Sequence, residues 1–332
     1  MRIAMLGPVA WRTPPEHYGP WERVTSLLTE GLVAAGVDVT LFATLDSVTT
    51  AELDGVCPHG YATDADMDGR IWEALHVAHA FERSGEFDLV HNQLDWLPLA
   101  FDRLCDAPLV TTIHGFSGPA ILPAYRHSRS AFISISDSDR SPSLDYLATI
   151  HHGIDFGELP QGPGGDGLVA FGRIHRDKGT AAAIEIARVA GRPLVICGPI
   201  QDQAYFDEQV APHLDGQAVT YLGSIGPQER AEVLGGAAAL LHPIGFDEPF
   251  GLAVVEAMAC GTPVVAYRRG SMPAVVDEGV TGYLAADVAT AVAAVGLATR
   301  LDRSAVRERA VARFGVARMV QQYLAAYQRL LD

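Results

Sequence analysis

Short apolar runs alternate along the chain with longer stretches whose apolar residues recur every third or fourth position. Residues 2–6, RIAML, read as a buried strand. Residues 7–19 form a loop rich in glycine and proline. Pro20 then enters the first turn of a helix with the stripe Val24, Leu27, Leu28 and Leu32. Gly36 closes that helix, and residues 37–43 read as the next strand. Further strands are predicted at 87–91, 109–114 and 131–134. Strands alternating with helices in this way predict an α/β fold with a parallel, doubly wound sheet.

Residues 156–167, FGELPQGPGGDG, break both helix and strand and read as a linker. The alternation then restarts. Strands are predicted at 168–171, 194–197, 219–222, 239–242 and 264–267, with helices at 178–190, 227–235 and 251–259. The tail from about residue 289 reads as helical, with Met319, Tyr323 and Tyr327 on one face. The chain therefore divides into two Rossmann-like domains. Ligands of such sheets bind at the carboxyl ends of the strands, so a cleft between the two is the expected site.

Composition narrows the picture. A chain of 332 residues, 48% hydrophobic, is long enough for two cores. The net charge of -16 disfavours nucleic acid and anionic lipid as partners. A phosphate site would have to be built locally from a few cations and backbone amides. Cys57, Cys105, Cys197 and Cys260 are far apart and form no CxxC, so they read as free thiols of a reducing compartment. The first apolar run breaks at Gly7-Pro8, and no run approaches the roughly 18–20 residues of a membrane span. A cytoplasmic location with no stable membrane insertion is the expectation.

Two stretches carry candidate chemistry. Residues 241–266, LHPIGFDEPFGLAVVEAMACGTPVVA, hold only Asp247, Glu248 and Glu256 as charges. A carboxylate in apolar surroundings needs a partner. The amides near Phe250, Gly251 and Leu252 open a helix and suit a phosphate or sugar oxygen. Gly251 lets a ligand approach the backbone, and an ionised Glu256 accepts hydrogen bonds as a ribose diol would offer them. On spacing alone, Glu248 favouring the helix dipole and Glu256 facing solvent is an equal alternative. The second stretch is 170–179, AFGRIHRDKG, where Gly172 and Arg173 follow a strand and Lys178 opens the next helix. Two cations there can neutralise a diphosphate. Surface pairing with Asp177 is the rival reading, stronger for Arg176 than for Arg173.

Together these residues resemble the retaining GT-B glycosyltransferases of glycosyltransferase family 4. The E-x7-E motif of that family matches Glu248 and Glu256 in EPFGLAVVE, and its GR-x4-KG element matches Gly172, Arg173, Lys178 and Gly179. GPWERVTSLL resembles the family's GGxER helix, and TTIHGF its histidine-bearing loop. ISISDSDR and TIHHGID also resemble family elements. The resemblance implies an acceptor-binding domain over 1–157, a nucleotide-sugar domain over 158–314, and a helix over 315–332 returning to the first domain. It implies donor contacts from Gly19, Gly172, Arg173, Lys178, Phe250, Gly251, Leu252 and Glu256. Catalytic roles would fall to His114, Arg173, Lys178 and Glu248, with His17 and Trp11 toward the acceptor. The donor would be a nucleotide-sugar, a UDP-sugar, and the acceptor a small molecule or saccharide, with no metal and no cofactor. The alanine-rich, lysine-poor makeup resembles actinobacterial natural-product pathways, such as those of oligosaccharide antibiotics. Three positions depart from the family: Pro20 for the second loop glycine, His152 for asparagine, and Ala274 for glutamate.

Other signals are weaker. Asp137-Ser138-Asp139 and Asp64-Ala65-Asp66 each spell DxD, a metal–diphosphate motif elsewhere. Asp137 reads instead as a helix cap, and 64–68 as a solvated loop. His151-His152 lacks a third ligand at metal spacing. Trp11, Trp21 and Trp96 sit near loops, where packing and sugar stacking both fit. The competing functions are another GT-B enzyme such as an epimerase or phosphorylase, a dehydrogenase, and a non-catalytic nucleotide-binding module. No lysine has a case for pyridoxal phosphate, and no GxGxxG follows a strand.

Overall fold

The computed structural model describes residues 1–115 and 118–332. Phe116, which closes TTIHGF, lies outside the described residues. The chain divides into two compact units, Met1–Gly153 with Val316–Asp332, and Ile154–Gly315.

The first unit holds strands β1 (Arg2–Leu6), β2 (Asp38–Phe42), β3 (Glu52–Asp54), β4 (Leu89–Asn92), β5 (Leu109–Ile113), β6 (Ala131–Ser134) and β7 (Ala148–Thr149). They form one sheet in the order β3-β2-β1-β4-β5-β6-β7, every pair parallel. The central strands β4 and β5 are buried along their whole length, and their polar side chains pair with each other, His91 with Thr112 at 2.8 Å and Asn92 with Thr111 at 3.2 Å. Helix α1 (Pro20–Ala34) begins behind Gly19 with Pro20 in its first turn, and Gly36 follows its end at φ 83°. Helix α2 (Gly69–Glu82) is capped by Asp68, which accepts from the Arg70 amide. Helix α3 (Leu122–His127) is short. Ala4, Phe42, Val77, Phe81, Val90 and Ile113 join in the core.

The second unit repeats the plan with β8 (Leu168–Phe171), β9 (Leu194–Cys197), β10 (Val219–Gly223), β11 (Ala239–His242), β12 (Val264–Tyr267) and β13 (Gly282–Ala285). Its order is β10-β9-β8-β11-β12-β13, again all parallel. The helices are α4 (Thr180–Ala190), α5 (Gln203–Gln209), α6 (Pro227–Gly236), α7 (Leu252–Ala259), α8 (Met272–Val275), α9 (Val288–Ala298) and α10 (Arg303–Phe314). Both sheets thus have the Rossmann strand order. Each reverses direction beside its first strand, at β1/β4 and β8/β11, where the loops part and leave room for a ligand.

Helix α11 (Val316–Leu331) returns the chain to the first unit, burying Met319, Tyr323 and Tyr327 there. Close approaches seat it. A Cβ on Gly31 would strike Val320, and one on Gly153 would meet the Val316 Cα.

Several expectations change. The helical tail consists of three helices, with a break ahead of Arg303 in addition to the one at Gly315. The helix expected from Lys178 begins at Thr180, because Gly179 adopts φ 69° and leaves residues 176–178 as a single 3-10 turn. The short edge strands β3, β7 and β13 carry too few residues to show alternation. Residues 156–167 are irregular, but they are pinned to the second unit. The Gly162 amide donates to the Cys260 carbonyl at 3.1 Å and the Gly164 amide to the Gly235 carbonyl at 2.9 Å. Arg303 donates to the carbonyls of Ala237 at 2.9 Å and Gly235 at 2.8 Å, and to Thr262 Oγ1 at 2.8 Å. Arg307 reaches the carbonyls of Phe156 at 3.0 Å and Leu159 at 2.5 Å.

Arg303 therefore fastens the chain ends of two helices to the incoming segment. Arg303→Ala would leave several carbonyls without donors, at a cost of about 3 kcal/mol or more. Urea unfolding should show a clearly lowered midpoint, with Arg303→Lys recovering only part. An unchanged midpoint would mean water replaces the guanidinium.

Candidate active site

The β8/β11 reversal collects the charged residues of the second unit. Gly172 follows β8 at φ 149°, and its amide donates to the Cys197 carbonyl at 2.9 Å. Arg173 Nη2 lies 2.7 Å from Asp177 Oδ2, and His175 Nδ1 2.7 Å from Asp177 Oδ1. Burial works against the Asp177 charge, but Arg173 and His175 outweigh it and hold the carboxyl below its usual range. Arg176 pairs instead with Asp202 at 2.8 Å. The expected division is thus reversed, since Arg173 carries the Asp177 pair and Arg176 points elsewhere. The reason is local: the turn at 176–178 rotates Arg176 outward and leaves Arg173 and Asp177 on one side.

Gly179 lets this turn approach the loop after β11, since a Cβ there would strike the Pro243 carbonyl. The Gly245 amide donates to the Asp177 carbonyl at 2.6 Å. Lys178 Nζ then reaches Glu248 Oε2 at 2.7 Å and lies 4.6 Å from the centre of the Phe246 ring. Burial would raise the Glu248 carboxyl. His242, 3.5 Å away, and Lys178 more than offset it and bring the pKa to about 2. At 3.5 Å the His242 contact is an ion-pair distance, so the Lys178 bond is the firmer hold. Glu248 stays ionised at any ordinary pH. Its backbone is clamped as well, for the Ser271 amide donates to the Glu248 carbonyl at 2.8 Å.

Gly251, at φ 85°, caps α7, so Leu252 is the first helical residue. The Phe250 side chain is buried, with its ring 5.8 Å from Phe314, which leaves only its backbone for a ligand. Glu256 does not face solvent. It is buried, and Arg230 Nη1 lies 2.9 Å from its Oε1. A small depression of about 20 Å³, open to solvent, lies over Gly172, Arg173, Lys178, Thr180 and His242. Neither Glu248 nor Glu256 lines it.

In the first unit the candidates also follow strand ends. Gly19 sits at φ 152° against Pro15, with Glu22 Oε2 beside it. Glu22 is buried on α1. Burial pushes its carboxyl up to about 7, although its own amide and that of Trp11 donate to it. His114 follows β5 and is buried, with Nε2 2.6 Å from Gln93 Oε1. Its ring stacks on Trp21 at 5.3 Å and on His152 at 5.2 Å. Burial drops its pKa to about 3, so it is a neutral imidazole. Trp21 therefore packs on a histidine, and His152 fills the family's asparagine position with a stacking ring. His17 is exposed, and Trp11 packs edge-on to Tyr18 at 5.4 Å.

Asp137 caps no helix, since a turn follows β6. Its Oδ1 accepts from Thr149 Oγ1 at 2.6 Å. Asp64 pairs with His59 at 3.0 Å in its loop. Among the described residues no group of three His, Cys, Asp or Glu is placed to hold a metal ion. No helix among them is long and apolar enough to cross a membrane. The partners that sequence reasoning missed, Arg230, His242, Gln93 and Glu22, lie on other elements than the residues they serve. No spacing rule links them.

Residues 162–312 match the model of glycosyl transferases group 1, and residues 21–155 that of Glycosyltransferase Family 4. The glycogen synthase of Mycobacterium tuberculosis is 28% identical, covering 93% of this chain and 88% of its own length. A D-inositol 3-phosphate glycosyltransferase of Pseudarthrobacter chlorophenolicus is 26% identical, covering 92% and 89%. Among solved structures, a glycosyltransferase involved in avilamycin A biosynthesis gives a TM-score of 0.76 at 22% identity, covering 100% of this chain and 98% of its own. The sucrose-phosphate synthase of Thermosynechococcus elongatus gives 0.81 at 20%, covering 99% of each chain. Anabaena HepE, solved with UDP and glucose, gives 0.75 at 18%, covering 99% and 100%. The fold and these matches define a glycosyltransferase of the GT-B class. Its first half carries the family 4 model and its second half the group 1 model, and the matches favour none of the competing functions.

The buried Arg230–Glu256 pair gives a stability test. Arg230→Leu removes the paired cation from a buried carboxylate, at a cost of about 3–5 kcal/mol. Pairing it with Glu256→Leu should recover most of that loss in denaturant unfolding. A double variant no more stable than the single one would show that Glu256 is held by other means.

Proposed function

We propose that this chain transfers a sugar, with retention at the anomeric carbon and without divalent metal, from a UDP-sugar to a small-molecule or saccharide acceptor. The observation that carries the reading is the ion pair of Lys178 with Glu248 at the β8/β11 reversal, beside Arg173 and the start of α7. In this reading the second unit takes the nucleotide and the first unit the acceptor. Arg173 and Lys178 meet the diphosphate, aided by the amides at 250–252 and by Gly172. Glu256 accepts the ribose hydroxyls, and Glu248 those of the transferred sugar. Gly19 would add a donor contact, His114 would lie near the reacting sugar, and His17 and Trp11 near the acceptor.

The chemistry follows from charge. As the bond from sugar to diphosphate oxygen breaks, negative charge grows on the leaving group. Cations beside it bind the transition state more tightly than the ground state. Lys178 is held ready by Glu248, and Arg173 by Asp177, so neither side chain has to be ordered at that moment. His114, being neutral, would act through hydrogen bonds rather than as an imidazolium. Retention is supported by the E-x7-E resemblance. UDP is supported by its presence in HepE. A saccharide or polyol acceptor is supported by the names of the glycogen synthase and inositol-phosphate relatives. A place in natural-product assembly is supported by the avilamycin likeness. The four free thiols favour the cytoplasm.

Nucleotide sugars are screened for turnover in excess chelator, and product configuration is read by proton NMR. UDP-sugar turnover should persist and the anomer be retained; abolition by chelator would overturn the metal-free reading. Lys178→Ala should lower kcat by about 10- to 150-fold, the worth of a charged hydrogen bond. Arg173→Lys should also impair turnover, since a point charge replaces a planar fork. Glu256→Ala should weaken UDP itself, whereas Glu248→Gln should spare UDP and slow transfer. Identical behaviour of the two would erase the division of roles.

A further inference from the structure

A chain of buried polar contacts runs through the first unit from α11 to His114. Tyr327 Oη lies 2.6 Å from His91 Nδ1. Gln93 Nε2 lies 3.1 Å from His91 Nε2, and Gln93 Oε1 lies 2.6 Å from His114 Nε2. Tyr323 Oη reaches Thr112 Oγ1 at 2.9 Å, and Thr112 reaches His91 Nε2 at 2.8 Å. All six residues are buried. Gln93 follows β4, at the reversal of the first sheet.

Donors and acceptors can be ordered along this chain. An amide oxygen only accepts, so His114 Nε2 carries the hydrogen. An amide nitrogen only donates, so His91 Nε2 is bare and His91 Nδ1 donates to Tyr327. A neutral imidazole has one N–H, which leaves His114 Nδ1 as a lone pair. That atom is buried and has no hydrogen-bond partner among the described residues. Trp21 and His152 both stack on the ring, at 5.3 and 5.2 Å, which restricts its turning. A buried acceptor left unsatisfied is costly. A hydrogen-bond donor on a bound molecule would satisfy it.

We infer that Gln93, itself set by His91 and the tyrosines of α11, is a positioning residue that locks His114 in the Nε2–H tautomer. Nδ1 then accepts a hydrogen bond from a hydroxyl of the bound sugar. The inference rests on the glycosyltransferase reading for the sugar, but the tautomer itself does not. The lock makes the site selective. A hydroxyl can donate to Nδ1, whereas a methyl ether or a deoxy position at the same place cannot, and a phosphate oxygen would be repelled by the lone pair.

The test uses the full chain with 15N-labelled histidine and long-range proton–nitrogen correlation, the signals assigned with His114→Gln and His91→Gln variants. Wild type should show His114 protonated at Nε2 and His91 at Nδ1. Gln93→Leu should release the His114 tautomer and lower kcat by about tenfold, the worth of an ordinary hydrogen bond at its upper end. UDP binding should be unchanged. Gln93→Glu, which keeps the acceptor oxygen, should restore the tautomer and part of the rate. His114 protonated at Nδ1 in wild type would overturn the lock, and that spectrum decides even if Gln93→Leu fails to fold. A released tautomer with unchanged kcat and KM would overturn its role in transfer. A wild-type chain that turns over no nucleotide sugar fails the transfer reading instead, and the tautomer spectrum tells the two failures apart.

Discussion

Two carboxylates on either side of the first turn of α7 constrain the second unit more than any other feature. Glu248 and Glu256 stand in a stretch that is otherwise apolar, and charge persists there only against a fixed cation. Neither cation is local. Lys178 comes from the turn after β8 and Arg230 from α6, so satisfying the pair ties α7 to two other elements. The glycines follow from this. Gly179 lets the basic turn run under Pro243, and Gly270 lets the next loop close on the Glu248 backbone, where a Cβ would strike it. A charge requirement at one helix thus dictates backbone geometry at three loops.

The first unit solves a different problem, that of orienting an uncharged ring. His114 has no carboxylate beside it; it is set by an amide, two stacked rings and a column of hydroxyls. The two units share a strand order but place opposite chemistry at its reversal. One gathers paired ions and the other neutral hydrogen bonds. Glu22 differs from Glu248 in the same sense, since burial raises its carboxyl to about 7.

Much of this was legible in the sequence because both sheets are parallel. Largely buried strands such as β8, LVAF, and β12, VVAY, leave unbroken apolar runs, and Pro20 and Gly36 mark the ends of α1. The candidate residues could be found because each follows a strand directly, as Gly172, Arg173 and His114 do. What stayed hidden is what depends on contact between distant elements. The three-residue β3 and two-residue β7 are set by their neighbours rather than by any period of their own. Arg176 is on paper the stronger partner for Asp177, yet the fold gives that pair to Arg173 and turns Arg176 to Asp202. The Gly- and Pro-rich segment at 156–167 has the composition of a free linker, yet Arg303 and Arg307 supply donors to its carbonyls and hold it in place.

The return of α11 has a consequence for how the protein is made. Domains emerging from the ribosome generally fold in order, the first before the second. Here the first unit is missing a wall until its last helix has been synthesised, for Met319, Tyr323 and Tyr327 are buried in it. The second unit is continuous from Ile154 to Gly315. The nascent chain therefore carries an open apolar face through the whole synthesis of the second unit. The unit translated first is the last to close.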